Sequence, residues 1–428
     1  MIEVNTNFIF HNVGQGLFYS GKIGNINFIY DCGSMNTECV NKVVKSYKKK
    51  VLGKEKISML VISHFDKDHV SGLENLLKDR EVEWAILPYL TPLERLIIAS
   101  RWSTVPRWYY HFLSNPVEFL FERNVKRVIF IGSGENKEKG KDITPMGKEP
   151  SPSEDVKIEI DNLPEDEELW RRIIEQEDEQ WKKWIEEKKI LPRNHWGLIR
   201  IPRVWEFVFF NYKVDEGAIR SFKKCLKERG IKEKEIRDII REKRMREEIK
   251  KCYKLIKTDL NLTCLVMYHG GNYKMTLGIS KKKNCSSLPR QLRDQDLLKK
   301  YRANLLKWKL TGTSIKNGGQ LLLGDANLKR HYKDLLEHFK NFLPMINLVL
   351  VPHHGSKNSW NSKILSDINA CKIWVVSAGI KNSYSHPSKK VILEIINNRF
   401  LLWCNEKEKI AIGGKDAKRI LLFSNSSL

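Results

Sequence analysis

Four potential metal ligands fall within six residues of the run Ser63-His64-Phe65-Asp66-Lys67-Asp68-His69. Imidazole nitrogens bind divalent cations, and carboxylates bind or bridge them while lowering the net charge. A strand alone would send alternate side chains to opposite faces. A turn directly after a strand can gather His64, Asp66, Asp68 and His69 into one pocket. The competing reading is a polar loop with helix-capping carboxylates. The density of donors directly after Leu60-Val61-Ile62-Ser63 argues against it. Two divalent ions about 3.5–4 Å apart would lower the pKa of a water between them and stabilise attacking and leaving oxygens. Such chemistry needs no Ser or Cys nucleophile, and Asp66 or Asp68 would accept the proton of the attacking water. The sequence holds no G-x-S-x-G, Walker A or dinucleotide fingerprint to compete with this reading.

The elements that must position this run are legible in part. Asn7–Val13, Leu17–Lys22 and Asn25–Tyr30 read as strands, with Gly14-Gln15-Gly16 and Asp31-Cys32-Gly33 as turns. Lys42–Lys50 reads as a basic helix, Ile57–Ser63 as a buried strand and Gly72–Lys78 as the start of a helix. Val125–Ile131, Val204–Tyr212, Leu260–Tyr268, Gln320–Leu323, Leu348–Val351 and Ile373–Ser377 also have strand character. Between them the composition turns charged. The expected organisation is a β-rich core over 1–135, a charged insertion over 136–203, and a core strand over 204–215. A basic helical insertion over 216–257, core strands over 258–279, a basic insertion over 280–316 and the C-terminal half of the core over 317–428 follow. Trp170, Trp181 and Trp184, near helical spacing in part, fit a local core or a docking face.

Five further blocks accompany the ligand run: His11-Asn12-Val13-Gly14-Gln15-Gly16, Phe28 to Gly33, Leu322-Leu323-Gly324-Asp325-Ala326, Val351-Pro352-His353-His354-Gly355-Ser356 and Asn382-x-Tyr384-x-His386-Pro387. In this order the set resembles the metallo-β-lactamase superfamily, and within it the soluble hydrolase domain of ComEC-type competence proteins. The resemblance covers both ends of the chain and none of the insertions. It implies an α/β fold, a four-layer αββα sandwich, with two divalent metal ions, Zn²⁺ or Mn²⁺, at one edge of the sheets. It implies Asp325 as a bridging ligand, His353 or His354 as a ligand from the C-terminal half, and His386 at substrate or metal. His354 and His386 would stabilise developing charge or protonate the leaving group. Asp31 would orient the ligand loop from behind, and Asn261 belongs to the block Asn261 to Val266 that looks like the family's N-x-x-S-L-V. That block lacks the extra histidine ligand common in the superfamily, and His269 is expected to point away. More oxygen donors favour Mn²⁺ or a mixed site. Asn12 stands where the family has Asp.

The formal net charge of the 428 residues is +24, a surplus that favours polyanionic partners. Residues 281–309 carry ten Lys/Arg against two Asp, with Tyr301 and Trp308 among them. Lys281, Lys282, Lys283, Arg290 and Arg293 are the candidates for tracking a phosphate backbone; a solvated helical face is the bland alternative. The expected activity is therefore a phosphodiesterase or nuclease acting on DNA or RNA. The alternatives are hydrolysis of a small phosphodiester or ester, and a partner-activated effector subunit that docks a protein through its insertions. The eight cysteines show no C-x-x-C pair and read as free thiols in a reducing cytoplasm. No apolar run of about 18 residues predicts a membrane span, and the N-terminus does not read as a secretory signal.

Overall fold

The computed structural model describes residues 5–102, 105–133, 143–145, 158–160, 162–202, 204–212, 216–231, 235–253, 263–271, 276–281, 290–311, 314–316 and 318–413. Its strands are β1 (Thr6–Phe10), β2 (Phe18–Ile23), β3 (Ile26–Cys32), β4 (Ile57–Val61), β5 (Val82–Pro88), β6 (Val125–Gly132), β7 (Ile190–Asn194), β8 (Leu198–Ile201), β9 (Trp205–Phe210), β10 (Val266–Gly271), β11 (Thr276–Lys281), β12 (Ser314–Lys316), β13 (Gly319–Leu322), β14 (Ile346–Leu350), β15 (Ile373–Ser377), β16 (Phe400–Cys404) and β17 (Ile410–Gly413). One sheet runs β12-β11-β17-β1-β2-β3-β4-β5-β6-β7, and the other β16-β15-β14-β13-β10-β9-β8.

Side-chain alternation turns these two sheets into four layers. On β3, Phe28 and Tyr30 face the second sheet, while Ile29 and Cys32 face a helical layer. On β10, Met267 faces the first sheet, while Val266 and Tyr268 face the helices on the other side. The cluster between the sheets thus joins Phe8, Phe28, Met59 and Ile86 to Phe207, Leu322, Leu350 and Val375. The helices Thr37–Tyr47, Pro92–Arg101 and Arg107–Ser114 cover the outer face of the first sheet, and Tyr332–His338 and Lys389–Asn398 that of the second. The architecture is the αββα sandwich that the motif set implied.

Strands β3 to β7 are parallel neighbours, as are β13 to β16. In parallel open sheets, ligand sites form beyond the carboxyl ends of the strands. The candidate ligands lie there, after β4 in one sheet and after β13 and β14 in the other, with Asp31 at the end of β3 and His386 after β15.

The stretch expected as a charged insertion over 136–203 gives β7 to the edge of the first sheet and β8 to the edge of the second. Trp181 is buried and stacks on Phe130 at 5.6 Å between ring centroids, whereas Trp170 is 44% exposed. The helices Glu216–Glu228, Ile236–Arg241 and Lys243–Tyr253 bury Phe222, Ile240 and Ile249 in the cluster that includes the helix Pro92–Arg101. Cys225 and Cys252 form a disulfide between the first and last of these three helices. The expectation of free thiols throughout is corrected for this pair. Cys32, Cys39, Cys264, Cys371 and Cys404 are in no disulfide among the described residues; Cys285 lies outside them. Scattered spacing gave no sign of the pair, because only the packing of the two helices brings the sulfurs together. No described helix is long and apolar enough to cross a membrane.

Candidate metal centre

The chain turns sharply after β4. Asp66 adopts an extended backbone and opens the short helix Lys67–Val70, so His64, Asp66, Asp68 and His69 leave the turn on one side. Asp31, at the end of β3, holds this turn from below. Its buried carboxylate accepts from the Ser63 backbone N–H at 2.7 Å, from Ser63 Oγ at 2.6 Å and from His69 Nδ1 at 2.8 Å. Asp31 has φ of 58°, a left-handed conformation that Asp and Asn tolerate better than most residues. Gly33 must be glycine for a separate reason. A Cβ there would lie 2.4 Å from the His69 carbonyl carbon and 2.5 Å from that of Asp68.

The second sheet supplies the rest. Asp325 follows β13 and points at the imidazoles. Its carboxylate oxygens lie 3.7 Å from His64 Nε2, 3.3 Å from His69 Nε2, 3.6 Å from His353 Nε2 and 3.7 Å from His354 Nε2. His353 and His354 follow β14 in two consecutive left-handed conformations, with φ of 47° and 52°. Each ring is fixed through Nδ1, to Ser359 Oγ at 2.8 Å and to the Ser377 carbonyl at 2.7 Å. That leaves Nε2 of both rings facing the carboxylates, with His354 Nε2 3.3 Å from Asp68 Oδ2. Seven sequence candidates are thereby gathered: His64, Asp66, Asp68, His69, Asp325, His353 and His354.

Asp66 stands apart in its bonding. Arg101, at the end of the helix Pro92–Arg101, directs Nη1 at both carboxylate oxygens, at 2.9 and 2.7 Å. Sequence reasoning missed Arg101, since no spacing rule links a lone cation to a carboxylate 35 residues away. His386 is on the rim, with its ring centroid 5.6 Å from that of His353. Its backbone is held by the Asn382 amide, which accepts from the His386 N–H at 2.9 Å and donates to its carbonyl at 2.6 Å. The Asn-x-Tyr-x-His-Pro spacing thus builds a turn. Gln291 also donates to the His386 carbonyl, at 2.8 Å, a tie between the basic segment and the site that the sequence did not signal.

Other expectations fall differently. His269 is turned away as expected, buried between the sheets with Tyr19 Oη at 2.9 Å and Trp205 Nε1 at 3.2 Å. Asn261, Lys282 and Lys283 lie outside the described residues. Lys281 ends β11, Arg290 opens the turn Arg290–Arg293, and the Arg293 side chain is exposed. Near Asn261 in sequence, Cys264 Sγ accepts from the Asp325 backbone N–H at 3.1 Å. Asn12 donates to the Glu406 carbonyl at 3.3 Å. Tyr301 and Trp308 are buried, so neither offers an open face for base stacking.

The electrostatics show why this cluster suits a cation. Burial, followed by the charge of His69, pushes the His64 imidazole down to about 4. Burial also works against charge on His69, but Asp325 and Asp31 outweigh it and hold the ring well above the ordinary histidine value. Burial opposes the charge on Asp325, yet the imidazoles of His353, His69, His354 and His64 together hold its carboxyl well below the usual range. Burial raises Asp66, and Arg101 offsets this only in part. Nε2 of His64 and of His69 is buried without a hydrogen bond of acceptable geometry. Buried ring nitrogens are ordinarily satisfied. Unsatisfied imidazole nitrogens among carboxylates, each ring oriented through its other nitrogen, form a set that on loss of the ring proton fits divalent cations.

No protein-family model and no curated protein matches the chain. Among solved structures, it is similar to the metallo-β-lactamase fold protein YhfI from Bacillus subtilis, with 8% identity, a TM-score of 0.33, and coverage of 94% of this chain and 98% of that one. It is also similar to a long form RNase Z from yeast, with 9% identity, a TM-score of 0.27, and coverage of 81% of this chain and 32% of that one. At such scores neither likeness bears on activity, and the functional reading rests on this chain's own residues.

Proposed function

We propose that this chain is a metal-dependent hydrolase of phosphodiesters, a nuclease acting on DNA or RNA. The observation that carries the hydrolase reading is the convergence of four imidazole Nε2 atoms on Asp325 and Asp68, with His64 Nε2 buried and unsatisfied. His64, Asp66, Asp68, His69, Asp325, His353 and His354 would hold two divalent ions, Zn²⁺ or Mn²⁺. Such ions supply Lewis acidity and lower the pKa of a water in the site. Arg101 orients Asp66 by engaging both its oxygens, which makes Asp66 better suited to a fixed position than to accepting a proton. His386, whose ring lies 5.6 Å from that of His353, would meet the phosphate or leaving-group oxygen.

One feature favours a polymer over a small substrate. The turn Arg290–Arg293 is tied to the His386 carbonyl through Gln291, which sets a basic segment at the rim of the site, in a chain of net charge +24.

The test is cleavage of end-labelled single- and double-stranded DNA and RNA with Mn²⁺, Zn²⁺ or Mg²⁺, beside the Asp68→Ala/His69→Ala double variant. Metal-dependent cleavage that the double variant loses is the expected result. Metal bound at the site with no polymer cleaved would refute the nuclease reading and shift it to a small phosphodiester or ester, or to an enzyme that needs a protein partner.

A further inference from the structure

A second cavity lies away from the candidate metal centre. It measures about 740 Å³ and opens where β15 and β16 begin, beside the helix Gln295–Thr311. The metal ligands sit beyond the other ends of the parallel strands. The helix itself links the two places. It starts just after Gln291, which touches the His386 loop, and its 17 residues run roughly 25 Å at 1.5 Å per residue. From Lys300 onward to Lys307 and Trp308, one side of the helix lines the cavity.

The lining has two characters. Lys300, Lys307, Lys372 and Arg399 surround the cavity, and no carboxylate lines it. Lys300 and Lys372 are exposed and make no ion pair among the described residues. Arg399 is anchored, with Nη2 donating to the Leu365 carbonyl at 2.9 Å and Nη1 to the Asn398 carbonyl at 3.1 Å, and its Nε is buried without a hydrogen bond. Beneath these cations the partly exposed Ile396 and Phe400 form an apolar floor, backed by the buried Trp308 and Ile373. Asn397 and Asn398 add amides that can both donate and accept. Four cations around an apolar floor, in a concave space of ligand size, suit a ligand with an anionic and an apolar part.

We propose that this cavity binds a nucleotide unit, with the phosphate on the cations and the base on the apolar floor beside the asparagine amides. The chemistry has two sources, a free nucleotide or one unit of a nucleic-acid strand. The site does not depend on the metal centre or its activity.

The experiment measures binding by calorimetry in a chelating buffer with the full-length Asp68→Ala/His69→Ala variant, so that neither metal nor turnover contributes. The probes are ADP, a twenty-residue oligothymidylate and, as a non-nucleotide polyanion, a polyglutamate peptide. Each is compared with the same chain carrying Lys300→Glu and Lys372→Glu, two exposed positions whose reversal leaves the core intact. Binding of ADP, weakened at least tenfold by the charge reversals, supports a free nucleotide. Binding of the oligothymidylate without ADP, weakened to the same extent, supports a strand. Absence of binding by both below about 1 mM, affinities unchanged by the reversals, or polyglutamate binding as tightly as the nucleotides would each overturn the proposal. A silent nuclease assay with intact binding here would sink the proposed activity alone.

Discussion

Substituting Asp31→Asn tests the central claim about ligand orientation with the least disturbance to the backbone. Asn, like Asp, tolerates the left-handed conformation found there. The carboxylate has three donors around it. The Ser63 backbone N–H meets Oδ1, while Ser63 Oγ and His69 Nδ1 meet Oδ2. A backbone N–H can only donate, so the Asn carbonyl must take the Oδ1 position. The amide –NH₂ then faces Ser63 Oγ and His69 Nδ1. Ser63 can reverse its role and accept. His69 can do so only by moving its proton to Nε2, the atom that faces Asp325 at 3.3 Å. A protonated Nε2 is no metal ligand. Loss of an orienting partner of this kind costs about 10- to 100-fold in metal affinity, or ~1.4–2.7 kcal/mol. The assay is competition for Zn²⁺ or Mn²⁺ against a chromophoric chelator, with thermal melting as a check that the fold survives and ¹⁵N NMR to read the His69 tautomer. A folded variant that binds metal within twofold of the parent would refute the argument.

Gly33→Ala should lower stability by about 2–3 kcal/mol, because its Cβ would meet the Asp68–His69 backbone at 2.4–2.5 Å; an unchanged melting temperature would contradict this. Replacing Cys225 and Cys252 by Ser opens a crosslink between residues 27 apart. Loop entropy puts the loss near 3.5 kcal/mol, and the doubly substituted chain should melt lower and lose all sensitivity to dithiothreitol; a parent that melts identically with and without reductant would count against the pairing. Acid should destabilise the fold through imidazoles outside the candidate metal centre. Burial pushes His11 and His269 down to about 3 and His195 down to about 4. The unfolded chain takes up these protons near pH 6.5 and the folded chain does not. Their stabilisation is therefore fully present above pH 6.5 and is lost as pH falls toward 3–4, by up to about 2 kcal/mol per ring at pH 5. Urea midpoints at pH 7.5 and 5.0, both in chelator, check it; equal midpoints would exclude the effect.

The local parts of the site were legible because short stretches of chain build them. His64, Asp66, Asp68 and His69 share one turn. The glycines of the flanking blocks find their reason in the same place: Gly33, and Gly16 whose Cβ would meet the Asp68 carbonyl oxygen at 2.5 Å. The strand before the turn was legible too, since Ile57–Val61 is buried on both faces and reads as an apolar run. Strands β7 and β8 were not. They lie in a stretch whose average composition is charged, and Arg193 and Arg200 within them face Glu165 and Glu206. Polar edge strands carry little of the alternation that pattern reading depends on. Strands β16 and β17 were missed for another reason. They are short, and β16 reads as Phe-Leu-Leu-Trp-Cys, an apolar run that periodicity cannot tell from buried helix.

Arg101 marks the boundary between what a motif carries and what the fold adds. The ligand run states which side chains are available, and says nothing of their charge state once buried. Asp66, Asp68 and Asp325 are three carboxylates in one buried cluster, an arrangement that self-repulsion disfavours. The four imidazoles answer part of that charge and Arg101 answers Asp66 directly. Arg101 is able to do so because its helix, Pro92–Arg101, is capped by Thr91 and Glu94 and packed by the helix Lys243–Tyr253, whose Tyr253 ring lies 5.9 Å from the guanidinium carbon. A segment that resembles nothing in the motif set thus supports the wall that holds Asp66 in place. The charged segments outside the resemblance are therefore part of how the site is built, and deletion of residues 216–253 should weaken metal binding at Asp66 even though no ligand is removed.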